Sequence, residues 1–406
     1  MEEKVKISFI LNSEARKKHG SDSRTQTFSQ SAAWRVRRFH RSFPQYEPTP
    51  LVKLTGLARA LGVADVRIKD ESLRFGLNAF KVLGASHATA SVVAEERGIN
   101  VDDLSFDLLR SVDVKKKLGA ITFVTATDGN HGRAVAWAAR ELGCTAVVYM
   151  PKGSSSARFE AIKDLGATTT IIDGNFDDAV HLAAQQAQRY GWILLQDTAW
   201  EDYEKIPIRI MQGYLTILNE ALEQLEGIIP THVFVQCGVG SLAGALQAHL
   251  FELFGAKRPR FAVVEADRAA CFYKSMVMGN EKPQKVSGDL DTIMAGLACG
   301  EPSALAWNIL RRYADVFVAC NDPVAIKGMR ALGRPLPGDP RVISGESGAV
   351  TAGLLACILE PGPHNEIAAA LDINQNSTIL LISTEGDTDP AMYQKIMFDI
   401  NQNESM

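Results

Sequence analysis

The sequence predicts an α/β fold of two domains, each a mostly parallel sheet flanked by helices. Three observations point there. Strand-like and helical segments alternate from Leu51 onward in two successive series, and strands separated by helices favour parallel sheets covered on both faces. Helical runs end on glycine at Gly62 and Gly143, where a left-handed cap is easiest to form. The glycine-rich turns follow strands directly, the position at which open α/β sheets bind ligands.

The elements follow in order. The basic run Arg16, Lys17, Lys18, His19, Arg24, Arg35, Arg37, Arg38, His40 and Arg41 reads as a solvated extension over the main body, or as an anion-facing arm. The proline-rich FPQYEPTPL (43–51) is extended. LVKLTGLARALG (51–62) reads as a helix, VADVRIKD (63–70) as a strand, and NAFKVLGASHATASVVAEERG (78–98) as a helix with Asn78 at its start. The first series continues with strand AITFVTAT (120–127), helix HGRAVAWAARELG (131–143) and strand TAVVYM (145–150), halted by Pro151 and Gly153. Helix SARFEAIKDLG (156–166), strand TTTIID (168–173), helix FDDAVHLAAQQAQRYG (176–191) and strand WILLQD (192–197) complete it. The second series has strands THVFVQ (231–236), RFAVVEAD (260–267) and STILLIS (377–383). Its helices follow GVGSLAG (238–244) and cover 303–312, 323–332 and 347–360. The two series predict a small domain over 88–204 and a large one combining 1–87 with 205–406.

A chain of 406 residues, 46% hydrophobic and 22% charged, can bury roughly three quarters of its extended surface. It needs neither metal nor disulfide to hold a core. The net charge of -4 gives no support to a nucleic-acid face. No stretch approaches the roughly 20 apolar residues of a spanning helix, and the N-terminus makes a poor signal peptide, so the reading is cytoplasmic, with no membrane partner. The six cysteines include no CxxC pair, which argues against a zinc site and for free thiols.

Four segments carry chemistry. In KDESLRFGLNAFK (69–81), Lys81 sits in an apolar setting, where an amine deprotonates more readily and can form a Schiff base. Taken alone, it also fits a surface lysine. TATDGNHG (125–132) joins a strand to a helix whose N-terminus favours an anion such as a substrate carboxylate; an ordinary Asn/Gly turn is the plainer reading. CGVGSLAG (237–244) has the form of a phosphate cradle. Its glycines, Gly238, Gly240 and Gly244, miss the dinucleotide fingerprint by one position. LLISTEGDTDP (380–390) places the Ser383 hydroxyl at a strand end.

In this order, the segments resemble the fold-type II pyridoxal-phosphate enzymes, the group of the tryptophan synthase β-chain and threonine dehydratase. Within that group they are similar to the ammonia-lyases acting on 2,3-diaminopropionate. The likeness runs from about residue 45 to near the end. It is carried by KDESLRFGLNAFKVLGA, ATDGNHGRAVAWAA, LLQDTAWEDYEKIP, GVGSLAGA, DTIMAGLACGEPS and STEGDTDP. The resemblance implies pyridoxal 5'-phosphate as cofactor, bonded to Lys81. It implies that Gly238, Val239, Gly240, Ser241 and Leu242 hold the phosphate, Asn130 lies near the ring 3′-oxygen, and Ser383 faces the ring nitrogen. Thr127, Asp128, Gly129 and His131 then belong to the turn that binds the substrate carboxylate.

Asp128 stands where the dehydratases usually have a small residue. A carboxylate beside a substrate carboxylate is unfavourable, but it suits a second amine or a base. The resemblance therefore implies a two-base elimination converting both isomers of 2,3-diaminopropionate to pyruvate and two ammonia. Lys81 would act on the L isomer, Asp128 on the D isomer, and Asp197 would assist. Both aspartates also fit as turn or helix caps. A homodimer and an oxidisable Cys271–Cys299 pair are further implications of the family. A serine/threonine dehydratase-like lyase and a non-catalytic α/β binding protein remain the competing readings.

Overall fold

The computed structural model describes residues 4–17, 20, 22–111, 121–279 and 281–398. Lys18 and His19 of the basic run, and residue 120 of one expected strand, lie outside them.

Two sheets organise the chain. The larger has seven strands: β1 (Ile7–Leu11), β2 (Leu51–Lys53), β3 (Asp65–Asp70), β8 (His232–Gln236), β9 (Arg260–Ala266), β10 (Val316–Cys320) and β11 (Thr378–Ser383), in the spatial order β1-β10-β9-β8-β11-β3-β2. The five central strands run parallel, and the edge strands β1 and β2 pair antiparallel to β10 and β3. The smaller sheet is parallel throughout, with β4 (Thr122–Ala126), β5 (Thr145–Met150), β6 (Thr168–Ile171) and β7 (Ile193–Leu194) in the order β6-β5-β4-β7. Strands β8 and β10 are buried along their whole length, as the near-continuous apolar runs VFV and VFVAC require of strands covered on both faces.

The helices used below are α1 (Gln30–Arg41), α2 (Lys81–Glu96), α3 (Asn130–Leu142), α4 (Ser156–Lys163), α5 (Phe176–Tyr190), α6 (Lys205–Gln224), α7 (Ser241–Phe254) and α8 (Glu346–Leu359). Amphipathic α5 buries one face, with Ala179, Val180, Ala183 and Ala187, whereas α3 is buried on all sides from Ala134 to Ala139. Helix α8 is apolar almost all round and is buried from Glu346 to Ile358, the behaviour expected of a helix inside a large core.

Three local expectations change. Residues 51–62 are not one helix: Leu51–Lys53 pair with Arg67–Lys69 as an edge strand, and the helix is confined to Thr55–Leu61. Asn78 does not start a helix but has φ +56°; Ala79 forms an isolated bridge with Glu385, and α2 begins at Lys81. The boundary expected at 87/88 falls inside α2. Strands β1 and β10 and helices α1 and α6 were not foreseen. Among the described residues, no helix is long and apolar enough to cross a membrane.

Candidate active site

The cleft lies where the C-terminal ends of β4, β8 and β11 approach the start of α2. Lys81 is held there by main chain. Phe80 N donates to Thr384 O at 3.0 Å and Gly386 N to Asn78 O at 3.1 Å, so the turn after β11 fixes residues 78–80. With Phe80 offering no side-chain cap, α2 starts on the lysine itself. The Lys81 ammonium reaches Asp197 Oδ2 in a short ion pair, with the carboxylate side chain 3% exposed. Asp197 arrives because β7 stops at Leu194 and the chain turns into the cleft. Burial disfavours the charge on Lys81, but Asp197 outweighs it and raises the amine well above its ordinary value. The carboxyl of Asp197 is likewise pushed up by burial and pulled below its usual range by Lys81.

His131 sits behind this pair. Its Nε2 donates to Leu195 O at 2.8 Å, and its Nδ1 lies 3.9 Å from Asp197 Oδ2. Burial lowers its pKa, against the opposing pull of Asp197.

The segment 237–242 has the geometry of an anion cradle. Helix α7 starts at Ser241 after Gly240, which has φ +97° and supplies no side-chain cap. Among the described residues, no protein acceptor meets the N–H groups of Gly238 to Leu242. A Cβ at Gly240 would lie 2.3 Å from Phe272 Cζ, and one at Gly238 would lie 2.9 Å from Gly296 O. Only bare backbone fits, which leaves the donors free for a phosphate. The Ser241 hydroxyl donates to Asp197 O, tying the cradle to the lysine's partner.

Asp128 and Asn130 line the same cleft, with Phe80, Phe176, Gln236 and Cys299. Asp128 faces Gly296, whose Cβ position would be 3.6 Å from Oδ2. Asn130 Nδ2 donates to Glu385 Oε2. Thr127 is fully buried beneath the turn, its Oγ1 accepting from Gly129 N at 2.8 Å. Gly129 itself has φ +153°. Neither Thr127 nor Gly129 forms part of the cleft wall.

Ser383 also stands behind the wall. Its Oγ donates to Ser344 Oγ at 2.8 Å, and the hydroxyl on the cleft surface belongs to Thr384. In a strand, successive side chains point to opposite faces, so the residue after Ser383 is the one turned towards the cleft. Gln236, Ser347, Thr384 and Glu385 were missed as wall residues. Their sequence signal was only their place at strand ends or helix starts. Cys271 and Cys299 are separate, buried thiols. Among the described residues, no group of His, Cys, Asp and Glu is arranged to hold a metal ion.

Residues 43–382 match the family described as pyridoxal-phosphate dependent enzyme. The chain belongs to this family. Among these enzymes it is similar to diaminopropionate ammonia-lyase of Escherichia coli (strain K12), 48% identical over 374 residues and 92% of each chain. It is 46% identical to the diaminopropionate ammonia-lyase of Salmonella typhimurium (strain LT2) over 403 residues, 98% of this chain and 99% of that one. These identities put it in the diaminopropionate ammonia-lyase branch. The crystal structure of the Escherichia coli enzyme in complex with D-serine superposes with a TM-score of 0.89 at 44% identity, covering 97% of both chains. The same enzyme in complex with an aminoacrylate-PLP azomethine reaction intermediate gives 0.88 at 45% identity and the same coverage. L-Threonine dehydratase of Salmonella typhimurium is 24% identical over 76% of this chain and 52% of its own length.

Pyridoxal 5'-phosphate is the cofactor of this pyridoxal-phosphate enzyme, and the residues present fit it. The bare donors of 238–242 suit its phosphate, and a lysine amine faces the same cleft.

Proposed function

We propose that the protein eliminates ammonia from both isomers of 2,3-diaminopropionate and that Lys81, Asp128 and Asp197 carry the proton transfers. The observation that supports this most directly is the charge of the cleft. One amine, Lys81, and three carboxylates, Asp128, Asp197 and Glu385, line it, a set that complements a substrate with two amino groups better than a hydroxy amino acid. The overall reaction removes the α-proton and the β-amine. The 2-aminoacrylate released hydrolyses to pyruvate and a second ammonia.

When bound, the cofactor's ring supplies the electron sink for negative charge at the substrate α-carbon. Gly238 to Leu242 would hold its phosphate, and Asn130 would contact its ring oxygen. Thr384, on the cleft wall, would face the ring nitrogen in place of Ser383, whose hydroxyl donates to Ser344. The 127–131 turn, braced from beneath by the buried Thr127, binds the substrate carboxylate at the N-terminus of α3, where N–H groups favour an anion. Lys81 Nζ takes the α-proton of the L isomer and Asp128 that of the D isomer. Asp197, already paired with Lys81, accepts the proton that Lys81 carries or holds the departing amine. His131, anchored to Leu195 O, keeps the Asp197 side of the cleft in shape.

The segment that carries the smaller sheet acts as the substrate-side domain closing on the remainder, and the cytoplasmic homodimer implied by the family belongs to this reading. The test is pyruvate release by the cofactor-loaded protein from D- and L-2,3-diaminopropionate and from D- and L-serine. Fast turnover of both diamines with slow turnover of serine supports the proposal. Preference for serine would move the chain to the dehydratase reading.

A further inference from the structure

We infer that Arg158 is a positioning residue for the carboxylate-binding turn, which it locks to the larger sheet through a closed ring of contacts. The inference rests on the reading of 127–131 as that turn.

Arg158 sits on α4 beside the smaller sheet and does not line the cleft. Its alkyl stem lies flat against Gly129. A Cβ on that glycine would come within 2.9 Å of Arg158 Cδ and 3.2 Å of Cγ, so the stem forms the floor of the turn. The guanidinium continues across to the larger sheet. Its Nη2 donates to Thr388 Oγ1 at 3.4 Å and lies 3.9 Å from Glu346 Oε2 at the start of α8. Thr388 Oγ1 in turn donates to Glu385 Oε2 at 3.4 Å. That same oxygen accepts from Asn130 Nδ2, and Asn130 is bonded in sequence to Gly129. The ring Gly129–Arg158–Thr388–Glu385–Asn130 therefore begins and ends on the turn and passes through the loop after β11.

Electrostatics give this ring a second purpose. The side chain of Arg158 is 11% exposed, and its charge faces Glu385, Asp128, Glu346 and Asp389. Burial and the neighbouring Glu385 push the Glu346 carboxyl up to about 7, a sign of how crowded with acid this region is. A substrate carboxylate entering the turn would meet that negative field unscreened without the guanidinium. Arg158 thus holds the turn in shape through its stem and offsets the surrounding acids through its head.

The experiment separates carboxylate recognition from amine recognition. Binding of L-alanine, which has the carboxylate and no leaving group, is compared with binding of 1,2-diaminoethane, which has two amines and no carboxylate. Both are followed by the absorption of the cofactor-loaded protein. Arg158→Met keeps the stem and removes the fork. It should weaken L-alanine binding by about tenfold or more, as expected when a positioning group is lost, and change diaminoethane binding by less than about twofold. Arg158→Lys should fall between wild type and Arg158→Met. Thr388→Val, at the far end of the ring, should show the same selectivity and serves if Arg158→Met does not fold. Equal losses for both ligands, or none, would overturn the role of Arg158 if Thr127→Val still weakens L-alanine selectively. If Thr127→Val also leaves the ratio unchanged, the carboxylate-turn reading fails and the inference with it.

Discussion

Replacing Glu220 with glutamine should destabilise the protein substantially, although Glu220 lies outside the cleft. It sits on α6 in a fully buried cluster with Lys69, Glu71 and Arg74. Its Oε2 lies 2.7 Å from both Lys69 Nζ and Arg74 Nη2, and all four side chains are 0–1% exposed. Tyr46 OH also donates to its Oε1 at 2.7 Å, and Thr49 N to its Oε2 at 3.2 Å. Two cations and two carboxylates balance, so the variant leaves one buried positive charge uncompensated. Breaking such a pair costs roughly 3–5 kcal/mol, which at about 2 °C per kcal/mol for a large chain lowers Tm by about 6–10 °C. Calorimetry of wild type and variant measures it. The double variant Glu220→Gln/Lys69→Met restores the balance and should recover part of the loss. A Tm change below about 1 °C for the single variant, less than one kcal/mol on this scale, would refute the argument. The pH dependence follows with its sign. Burial pushes the Glu220 carboxyl up, but Arg74 and Lys69 bring it from 4.5 down to about 2. Its contribution is therefore full above pH 4.5 and is lost as pH falls through 2. The cluster holds the turn Glu71–Gly76, which precedes Lys81, so its loss should also loosen the cofactor.

Three further outcomes are expected. Gly240→Ala forces a side chain into φ +97° and against Phe272; a cost of about 2 kcal/mol should weaken cofactor binding about 30-fold in equilibrium titration. Asp128→Asn should lower turnover of the D isomer about 100-fold while the L isomer stays within about threefold, because a positioned base contributes on that scale; equal losses would end the two-base assignment. Asp197→Asn removes the carboxylate that raises Lys81, so the apo protein should combine with pyridoxal phosphate at lower pH than wild type, measured as association rate against pH; an unchanged profile would show that Asp197 does not govern the lysine.

Much of this protein was legible in one dimension. The alternation of apolar strands with amphipathic helices specified parallel sheets, because covered strands must be apolar on both faces. TAVVYM was bounded correctly at 145–150, since its apolar residues stop at a proline. The glycines of 237–244 marked a backbone cradle, because a side chain at Gly240 has nowhere to go. What failed was whatever depends on partners distant in sequence. Leu51–Lys53 carries no strand signal strong enough to override the helix after it, and becomes a strand only because β3 presents a free edge. Asn78 looks like a helix cap, yet it takes φ +56° in a turn that the Ala79–Glu385 bridge ties to the loop after β11.

The sequence alone determined the fold class, the cofactor and the reaction branch, since these depend on local residue types in a fixed order. The tertiary structure decided which hydroxyl after β11 faces the cleft, which carboxylate meets Lys81, and that Arg158 lies under Gly129. Each of those is a contact across at least 29 residues or the direction of a single side chain, and chain order carries no distance between elements until the sheets have packed.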